Sequence, residues 1–330
     1  MREKHPLTRR AASLDATSER ASFADDLGYY LTLQPRQLPS RYFYDALGSA
    51  LFEAICQLPW YPVTRAETRL LERYSRDIVG HLDPLSTVIE LGSGSGEKLG
   101  LLIESGQLSR ARLTVHLVDV SPTALASAAD ALSRLDAATV ITHRARYEEG
   151  LARIASRPRA GGRALVLFLG SNIGNFDPPG AAAFLRGIRS SLTAGDALLL
   201  GTDLVKSERE LVMAYDDPLG VTAAFNRNLL VRITRELDGD FDLDRFAHRA
   251  VWNADQSRVE MHLVCRRRQK VTVRAAGLDF TMEEGESIWT ESSYKYRPDG
   301  VRAMLVRGGF EVVEQWIDGG FALTLASRSA

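Results

Sequence analysis

The chain has 330 residues, of which 45% are hydrophobic and 25% charged, and its formal net charge is −1. This balance argues against nucleic-acid or anionic-membrane partners, and two cysteines are too few for a disulfide framework or a zinc cluster. The histidines show no metal-ligand spacing, so no metal site is predicted. No run approaches the roughly 18 apolar residues of a membrane span, so we expect a soluble, cytoplasmic protein. We also expect it to work as a monomer.

The N-terminal part is predicted to be a tail followed by two helices. Residues 1–19 are polar, begin with several basic residues and lack the apolar stretch of a signal peptide, so we expect a disordered tail. Helical apolar patterns cover 23–33 and 66–78. Between them, residues 38–45 are rich in aromatic side chains.

From residue 86 to 200, short apolar strands alternate with helices. Strands are predicted at 86–91, 113–120, 164–169 and 196–200, and helices at 97–103, 121–135 and 180–192. This alternation, with short connections, predicts an α/β fold with a doubly wound, mostly parallel, Rossmann-like sheet.

Beyond residue 203 the alternation stops. Residues 207–237 have a helical pattern with a loop, and 257–278 alternate as strands do, which predicts a second, α+β lobe inserted in the chain. From residue 297 a helix and two strands return to complete the sheet.

A glycine-rich loop, residues 90–96 (ELGSGSG), joins the first predicted strand to its helix. In such a loop, backbone N–H groups and the helix N-terminus meet a ligand. A dinucleotide fingerprint would require a glycine at position 97, which is Glu97, so a nicotinamide oxidoreductase is the least favoured enzyme. Asp119 ends the second predicted strand, where an acid can accept both ribose hydroxyls. Loop and acid together favour S-adenosylmethionine over a purely structural role, in which Asp119 would cap the next helix.

Several long strings in the chain are too specific to be explained by chance. They are residues 43–46 (FYDA), 90–94 (ELGSG), 168–171 (FLGS), 173–175 (IGN), 201–206 (GTDLVK), 214–217 (AYDD) and 221–228 (VTAAFNRN). Together they resemble the L-histidine Nα-methyltransferases of ergothioneine biosynthesis. The resemblance implies transfer of methyl groups from S-adenosylmethionine to the α-amino group of free L-histidine, giving trimethylhistidine (hercynine).

The resemblance also implies a division of the chain and a set of site residues. Residues 67–204 and 297–330 would form the cofactor-binding methyltransferase domain, and residues 20–66 and 205–296 the substrate-binding lobe. The cofactor would contact residues of the glycine loop and of the strand ends, namely Gly92, Gly94, Lys98 and Asp119. The substrate would contact Tyr44, Asn175, Tyr215, Met261, Glu291 and Ser293.

Each implied substrate residue has a plausible chemical role. Asn175 and Tyr215 would hold the amino and carboxylate groups, and Glu291 and Ser293 would hydrogen-bond the two imidazole nitrogens. Met261 would form a pocket wall. As catalytic residues we predict Asn175, which would aim the amine at the methyl group, and Tyr44, whose hydroxyl would take part in proton release.

Two departures from the family pattern bear on the cofactor and on specificity. The family has paired tyrosines before a proline where this chain has Trp60-Tyr61-Pro62, which leaves Tyr61 as the substitute for the pocket tyrosine. The family has an acid before the aromatic residue that brackets adenine, where this chain has Arg146-Tyr147. Tyr147 can still stack on adenine. The Arg146 side chain has no acceptor for the adenine amino group, so its backbone carbonyl would accept that group instead, and both Arg146 and Tyr147 are predicted to contact the cofactor.

Two other functions stay open at this point. Pro62 makes an Nα-methyltransferase for another amino acid, such as tryptophan or a histidine derivative, the main alternative. A non-catalytic S-adenosylmethionine-binding protein is the alternative from a different class, although such a protein would not need the polar amino-acid site.

Overall fold

The computed structural model describes residues 16–108, 113–133, 139–156 and 161–328. Most of the predicted tail, up to residue 15, lies outside these ranges, and so does the end of the helix predicted over 121–135. The remaining tail residues, 16–19, belong to the first helix.

Ten α-helices and thirteen strands are formed by the described residues. The helices are α1 (Ala16–Tyr30), α2 (Ala46–Gln57), α3 (Val63–Gly80), α4 (Glu97–Ser105), α5 (Pro122–Ser133), α6 (Tyr147–Ala155), α7 (Pro178–Ser191), α8 (Glu208–Tyr215), α9 (Val221–Leu237) and α10 (Pro298–Arg307). The strands are β1 (Arg36–Gln37), β2 (Leu85–Leu91), β3 (Thr114–Asp119), β4 (Thr139–Arg144), β5 (Arg163–Phe168), β6 (Ala197–Asp203), β7 (Phe246–Asn253), β8 (Arg258–Cys265), β9 (Gln269–Val273), β10 (Leu278–Met282), β11 (Ser287–Tyr294), β12 (Glu311–Asp318) and β13 (Phe321–Ser327).

The larger sheet has seven strands in the order β12-β13-β6-β5-β2-β3-β4. Strands β2 to β6 pair in parallel, and β13 lies antiparallel between β6 and β12. Alternate residues of β5 face two different apolar clusters: Leu165 and Leu167 pack with α3, α4 and α5, whereas Val166 and Phe168 pack with α6, α7 and α10. The predicted doubly wound, mostly parallel α/β sheet is therefore confirmed.

The order of the strands fixes where a ligand can bind. From β2 the chain moves outward to β3 and β4, and it then returns to the other side of β2 as β5 and β6. In open α/β sheets, ligands bind at the carboxyl ends of the strands where this reversal occurs. Here that point lies between the glycine loop after β2 and the turn after β5.

The smaller sheet has the order β1-β11-β8-β7. Strand β8 alternates between buried and partly exposed residues, because one face is covered by α8 and α9. Strand β1 comes from the N-terminal segment and pairs in parallel with β11, so residues that precede β2 and residues that follow β6 share one sheet. Helix α3 spans the boundary predicted at residue 67.

One apolar core joins the two sheets. The cluster that contains Val115 of β3 also contains Phe225 of α9 and Met261 of β8. Helix α3 packs on β13, and α2 packs on α9. The smaller sheet is thereby held over the carboxyl edge of the larger one. No helix in the described ranges is both long and apolar enough to cross a membrane.

Candidate active site

A cleft of about 1890 Å³ is lined by residues of both sheets and of the N-terminal helices. Every residue predicted to bind the cofactor lines it: Gly92, Gly94, Lys98, Asp119, Arg146 and Tyr147. A contiguous cavity of about 30 Å³ holds roughly one water volume. Every residue predicted to bind the substrate lines this cavity: Tyr44, Tyr61, Asn175, Tyr215, Met261, Glu291 and Ser293. Of these, Tyr44, Tyr61, Asn175 and Glu291 line the cleft as well.

Two glycines let the loop after β2 pack closely against its neighbours. Gly92 has φ +78°, and a Cβ there would lie 3.0 Å from the amide nitrogen of Asn172 in the turn after β5. Gly96 has φ +77°, and a Cβ there would lie 2.8 Å from Cα of Ala128. Both positions require glycine because of the left-handed backbone and the lack of space. The loop is thus held between α5 and β5, with the N-terminus of α4 at the cleft.

Asp119, the last residue of β3, is fixed by backbone N–H groups. Its Oδ1 accepts the N–H of Ser121 at 2.8 Å, and its Oδ2 accepts that of Gly94 at 3.4 Å. Burial raises the pKa of this carboxyl, and the backbone hydrogen bonds only partly oppose the shift. The carboxylate is oriented beside the glycine loop, where it can accept the hydroxyls of a ribose.

Tyr147 and Arg146 both line the cleft, but they differ in what they offer to a ligand. The Tyr147 ring packs edge-on against Phe168, with ring centroids 5.3 Å apart, which fixes an aromatic surface beside the loop. Arg146 caps α6 and is exposed, and its carbonyl oxygen accepts the N–H of Gly150 at 2.9 Å. An aromatic ring is therefore available at the cleft, next to the position where the family acid is missing.

Lys98 is held by a carboxylate that the sequence analysis did not single out. Its Nζ lies 2.5 Å from Oε2 of the fully buried Glu67 on α3. The Glu67 carboxylate also accepts the N–H of Gly170, at 2.9 and 3.0 Å. Burial alone would lower the pKa of Lys98, but Glu67 raises it above its ordinary value, so the ammonium stays charged at the cleft.

Glu90 is a second buried carboxyl at the cleft. Its Oε2 has no hydrogen-bond partner among the described residues. Burial raises the pKa of Glu90 to about 8, although Lys98 opposes the shift. A buried polar atom of this kind is satisfied by a ligand or by water, so Glu90 is a further candidate for contact with the cofactor.

Aromatic rings form a continuous wall around the smaller cavity. Tyr44 meets Phe52 and Phe225 at centroid distances of 5.7 and 5.9 Å, and Tyr61 meets Phe52 and Tyr215 at 6.3 Å each. Burial raises the pKa of Tyr44 well above its ordinary value, so its hydroxyl remains protonated near neutral pH. The cavity is therefore lined by aromatic rings and by neutral tyrosine hydroxyls.

Tyr61 and Pro62 have different positions although they are adjacent in sequence. Tyr61 is 7% exposed and lines both the cleft and the smaller cavity. Pro62 is the N-cap of α3, a place where its fixed φ suits the start of a helix. The hydroxyl that reaches the substrate side is thus that of Tyr61.

Asn175 ends a 3₁₀ helix, Asn172–Asn175, that follows β5. This turn lies against β11: a Cβ on Gly174 would come within 2.7 Å of the carbonyl oxygen of Tyr294. Asn175 lines both the cleft and the smaller cavity. Its amide, which both donates and accepts, is therefore located where cofactor and substrate would meet.

Glu291 and Met261 lie opposite each other on β11 and β8. The strand register shifts between Trp289 and Glu291, and Trp289 Nε1 donates to the carbonyl oxygen of Glu291 at 2.8 Å. Such an irregularity re-aims a side chain. Burial raises the pKa of Glu291 to about 7, although Lys295 opposes the shift, so the carboxyl is a hydrogen-bond acceptor above that pH.

Ser293 belongs to a buried cluster of polar groups. Its Oγ accepts a hydrogen bond from the Tyr215 hydroxyl at 2.8 Å and from Lys295 Nζ at 2.9 Å. Lys295 also contacts Tyr215 Oη at 2.8 Å and Asp203 Oδ2 at 2.9 Å. The proton of the Tyr215 hydroxyl is therefore directed to Ser293, which differs from its predicted use as a free donor for the substrate carboxylate.

The family described as histidine-specific, S-adenosylmethionine-dependent methyltransferases has a sequence model that matches residues 23–328. The chain belongs to this family. It is 42% identical to histidine Nα-methyltransferase of Mycolicibacterium smegmatis over 96% of this chain and 98% of that one. It is equally identical to the histidine Nα-methyltransferase of Mycobacterium tuberculosis, over 89% and 91% of the two chains. A 4-dimethylallyltryptophan N-methyltransferase of Penicillium roqueforti is 26% identical over 89% and 90%.

The methyltransferase has site residues that the sequence analysis missed. Glu67 and Lys295 are buried charged residues that hold predicted site residues in place. For Lys295 a signal was available, since Glu291, Ser293 and Lys295 recur at every second position, the spacing of one face of a strand. For Glu67 there was none, because its partners Lys98 and Gly170 are distant in sequence.

Proposed function

We propose that this methyltransferase transfers methyl groups from S-adenosylmethionine to the α-amino group of L-histidine and gives Nα-trimethylhistidine. The observation that carries the proposal is the pair Glu291 and Ser293 on β11. Glu291 lines both the cofactor cleft and the smaller cavity, and Ser293 lines the smaller cavity, so an imidazole bound in the cleft at the mouth of that cavity would meet both side chains. A carboxylate that accepts and a hydroxyl that donates match the N–H and the bare nitrogen of a neutral imidazole.

The described residues fit the cofactor. Asp119 would accept the ribose hydroxyls, Tyr147 would offer a face to adenine, and the charged Lys98 would attract the methionine carboxylate. When bound, S-adenosylmethionine supplies a methyl group on a positively charged sulfur, and the protein supplies alignment. The three glycines of the loop, Gly92, Gly94 and Gly96, have a left-handed backbone and would let the loop approach the cofactor closely.

The amine must be neutral to act as a nucleophile, and its lone pair must point along the line of transfer. Asn175 would orient it, because its amide lies at the junction of cleft and cavity. Tyr44 cannot act as a phenolate base near neutral pH, since burial raises the pKa of its hydroxyl. We therefore propose that the released proton goes to water in the cleft, with the Tyr44 hydroxyl as a relay that accepts one proton while it donates another.

Repeated methylation turns the amine into a growing cation. The ring wall of Tyr44, Phe52, Phe225, Tyr61 and Tyr215 suits that change, because aromatic faces attract cations by about 0.5 to 2 kcal/mol each. The wall supports a product with a fixed positive charge.

One copy of the chain supplies every residue assigned to the cleft and the cavity, which supports a monomer as the working unit. The small number of cysteines suits the reducing cytoplasm.

The lobe around the smaller sheet, residues 20–66 and 205–296, is proposed to bind the amino acid. Four of the substrate residues, Tyr215, Met261, Glu291 and Ser293, come from its second segment, and two, Tyr44 and Tyr61, come from its first. Asn175 comes from the sheet domain. The substrate would thus lie between the two parts of the molecule.

One experiment tests the proposal directly. The purified protein is incubated with methyl-labelled S-adenosylmethionine and each common amino acid separately, and the products are identified by mass. We expect mono-, di- and trimethylated histidine, with no product from tryptophan at comparable rate. Methylation of tryptophan without methylation of histidine would overturn the proposal, and no methylation of any amino acid would favour a role in binding alone.

A further inference from the structure

Lys295 is a fully buried lysine placed directly after β11. Its ammonium group contacts Asp203 Oδ2 at 2.9 Å, Tyr215 Oη at 2.8 Å and Ser293 Oγ at 2.9 Å. An ammonium group has three N–H donors and no acceptor. Each donor therefore has one partner, and the geometry of all three partners depends on this one group.

The contacts fix the direction of the hydrogen bonds at Ser293. A serine hydroxyl has one donor and two acceptor positions. Lys295 and the Tyr215 hydroxyl both donate to Ser293 Oγ, so both acceptor positions are filled. The one hydrogen-bonding position left to Ser293 is its O–H, and the residue lines the smaller cavity together with Glu291. Ser293 is consequently a donor toward the cavity and cannot act there as an acceptor.

We propose that Lys295 is a positioning residue that makes Ser293 a hydrogen-bond donor and so restricts the site to side chains with an unprotonated ring nitrogen. This inference rests on the proposed function, since it assigns the imidazole of histidine to Glu291 and Ser293. A neutral imidazole offers an N–H to Glu291 and a bare nitrogen to Ser293. An indole has no second ring nitrogen, and an imidazolium presents a proton where Ser293 already has one.

If Lys295 had a purely structural role, that role would be to neutralise the charge of Asp203. That carboxylate, 3% exposed, already has a second cation, because Lys206 donates to its Oδ1. The Tyr215 and Ser293 contacts of Lys295 are additional to charge balance. Burial acts to lower the pKa of Lys295, but Asp203 and Tyr215 raise it above its ordinary value, so the donor pattern holds across the physiological pH range.

The two roles are separated by a double-mutant cycle of Lys295→Met and Ser293→Ala. The measurement is the Kd of L-histidine by calorimetry in the presence of S-adenosylhomocysteine, with the Kd of S-adenosylhomocysteine and the melting temperature of each variant as companions. Lys206→Met is the matched control, because it removes the other cation from Asp203 without touching the hydroxyl cluster. If Lys295→Met does not fold, Lys295→Met with Asp203→Asn, which removes both charges, replaces it in the cycle.

We expect Ser293→Ala and Lys295→Met each to raise the Kd of histidine about tenfold, the scale of a lost hydrogen bond. In the Ser293→Ala background, Lys295→Met should raise the Kd of histidine by less than a further factor of about three, because the hydroxyl that Lys295 orients is absent. Lys206→Met should change the Kd by less than about twofold, as expected for a residue outside the cluster. The positioning role would be overturned if the losses of binding free energy in Ser293→Ala and Lys295→Met were fully additive in the double variant, or if Lys206→Met weakened histidine binding as much as Lys295→Met does. If histidine does not bind the unmodified protein, both the proposed function and this inference fail, which is a distinct result.

Discussion

The carboxylate of Glu67 joins three parts of the cofactor cleft. It contacts Lys98 Nζ at 2.5 Å and accepts the N–H of Gly170 at 2.9 Å through Oε1 and 3.0 Å through Oε2. Helix α3 is thereby tied to α4 and to the turn after β5. Glu67 has no exposed side-chain surface, so only these partners compensate for the removal of its carboxylate from water.

Loss of this carboxylate is expected to destabilise the fold. Glu67→Gln leaves Lys98 without its counter-charge, and breaking a buried pair costs about 3 to 5 kcal/mol, an upper range here since Lys98 is 25% exposed. Urea unfolding measures the effect, with Glu72→Gln on the exposed side of α3 as the control. The double variant Glu67→Gln with Lys98→Met should recover part of the loss. Equal stability of the Glu67 and Glu72 variants would contradict the assignment.

The cofactor role of Asp119 is tested by Asp119→Ala. We expect weaker binding of S-adenosylmethionine by about 1.5 to 3 kcal/mol, the scale of charge-assisted hydrogen bonds. Calorimetry on the cofactor alone measures this, and Asp130→Ala, an exposed carboxylate on α5, is the matched control. An unchanged affinity in Asp119→Ala would remove this residue from the cofactor site.

Glu291 is expected to govern both the affinity for histidine and its pH dependence. Glu291→Gln should lower kcat/KM by about 10- to 100-fold through loss of a charge-assisted hydrogen bond, with little change in cofactor binding. In the unmodified enzyme the pKa of Glu291 is about 7, so KM should rise as the pH falls through that value and the carboxylate becomes neutral. In Glu291→Gln the remaining pH dependence should be that of the histidine substrate, through its ring and its amino group. The exposed Glu284→Gln on the same lobe should behave as the unmodified enzyme does, and identical pH profiles for all three proteins would contradict the role of Glu291.

Tyr61 is expected to take the part of the missing pocket tyrosine. Tyr61→Phe removes only the hydroxyl and should raise the KM for histidine by about 3- to 10-fold, the scale of one neutral hydrogen bond. Steady-state kinetics at saturating cofactor measure this, with the exposed Tyr29→Phe for comparison. Should KM stay the same in Tyr61→Phe, the ring alone of Tyr61 would serve the pocket.

Glu90 predicts a particular pH dependence of stability for the cofactor-free protein. Its pKa is about 8 in the fold and about 4.5 in the unfolded chain, so the folded state retains a proton that the unfolded chain has lost between these values. The contribution of Glu90 to stability is therefore complete below pH 4.5 and is lost as the pH rises toward about 8. Glu90→Gln should reduce this decline when melting temperatures are compared from pH 5 to 9. Parallel curves for the two proteins would refute the buried, protonated state of Glu90.

Much of the fold and of the site could be predicted from the sequence because the determining patterns are local. The apolar run of β5 and the glycines at 92 and 96 are contiguous signals for a buried strand and a close-packed loop. The family resemblance implied Asn175, Glu291 and Ser293 as site residues, and all three line one cavity. Helix α2 and strands β1 and β10 were not predicted. Strands β4, β7 and β11 and helix α6 were not predicted either, because their partly polar sequences gain their structure from neighbouring strands and helices.

Other properties were decided only by the tertiary structure. Tyr61 lines the cleft and the smaller cavity, whereas Pro62 is the N-cap of α3 and lines neither, a difference that depends on where α3 begins in the fold. The pKa values of Glu90 and Glu291 depend on burial, which no local pattern reports. The contacts of Glu67 with Gly170 and of Lys295 with Asp203 join residues about 100 positions apart. Such pairs form only when the chain is folded, because folding brings a buried charged group next to its partner whatever their separation in the sequence.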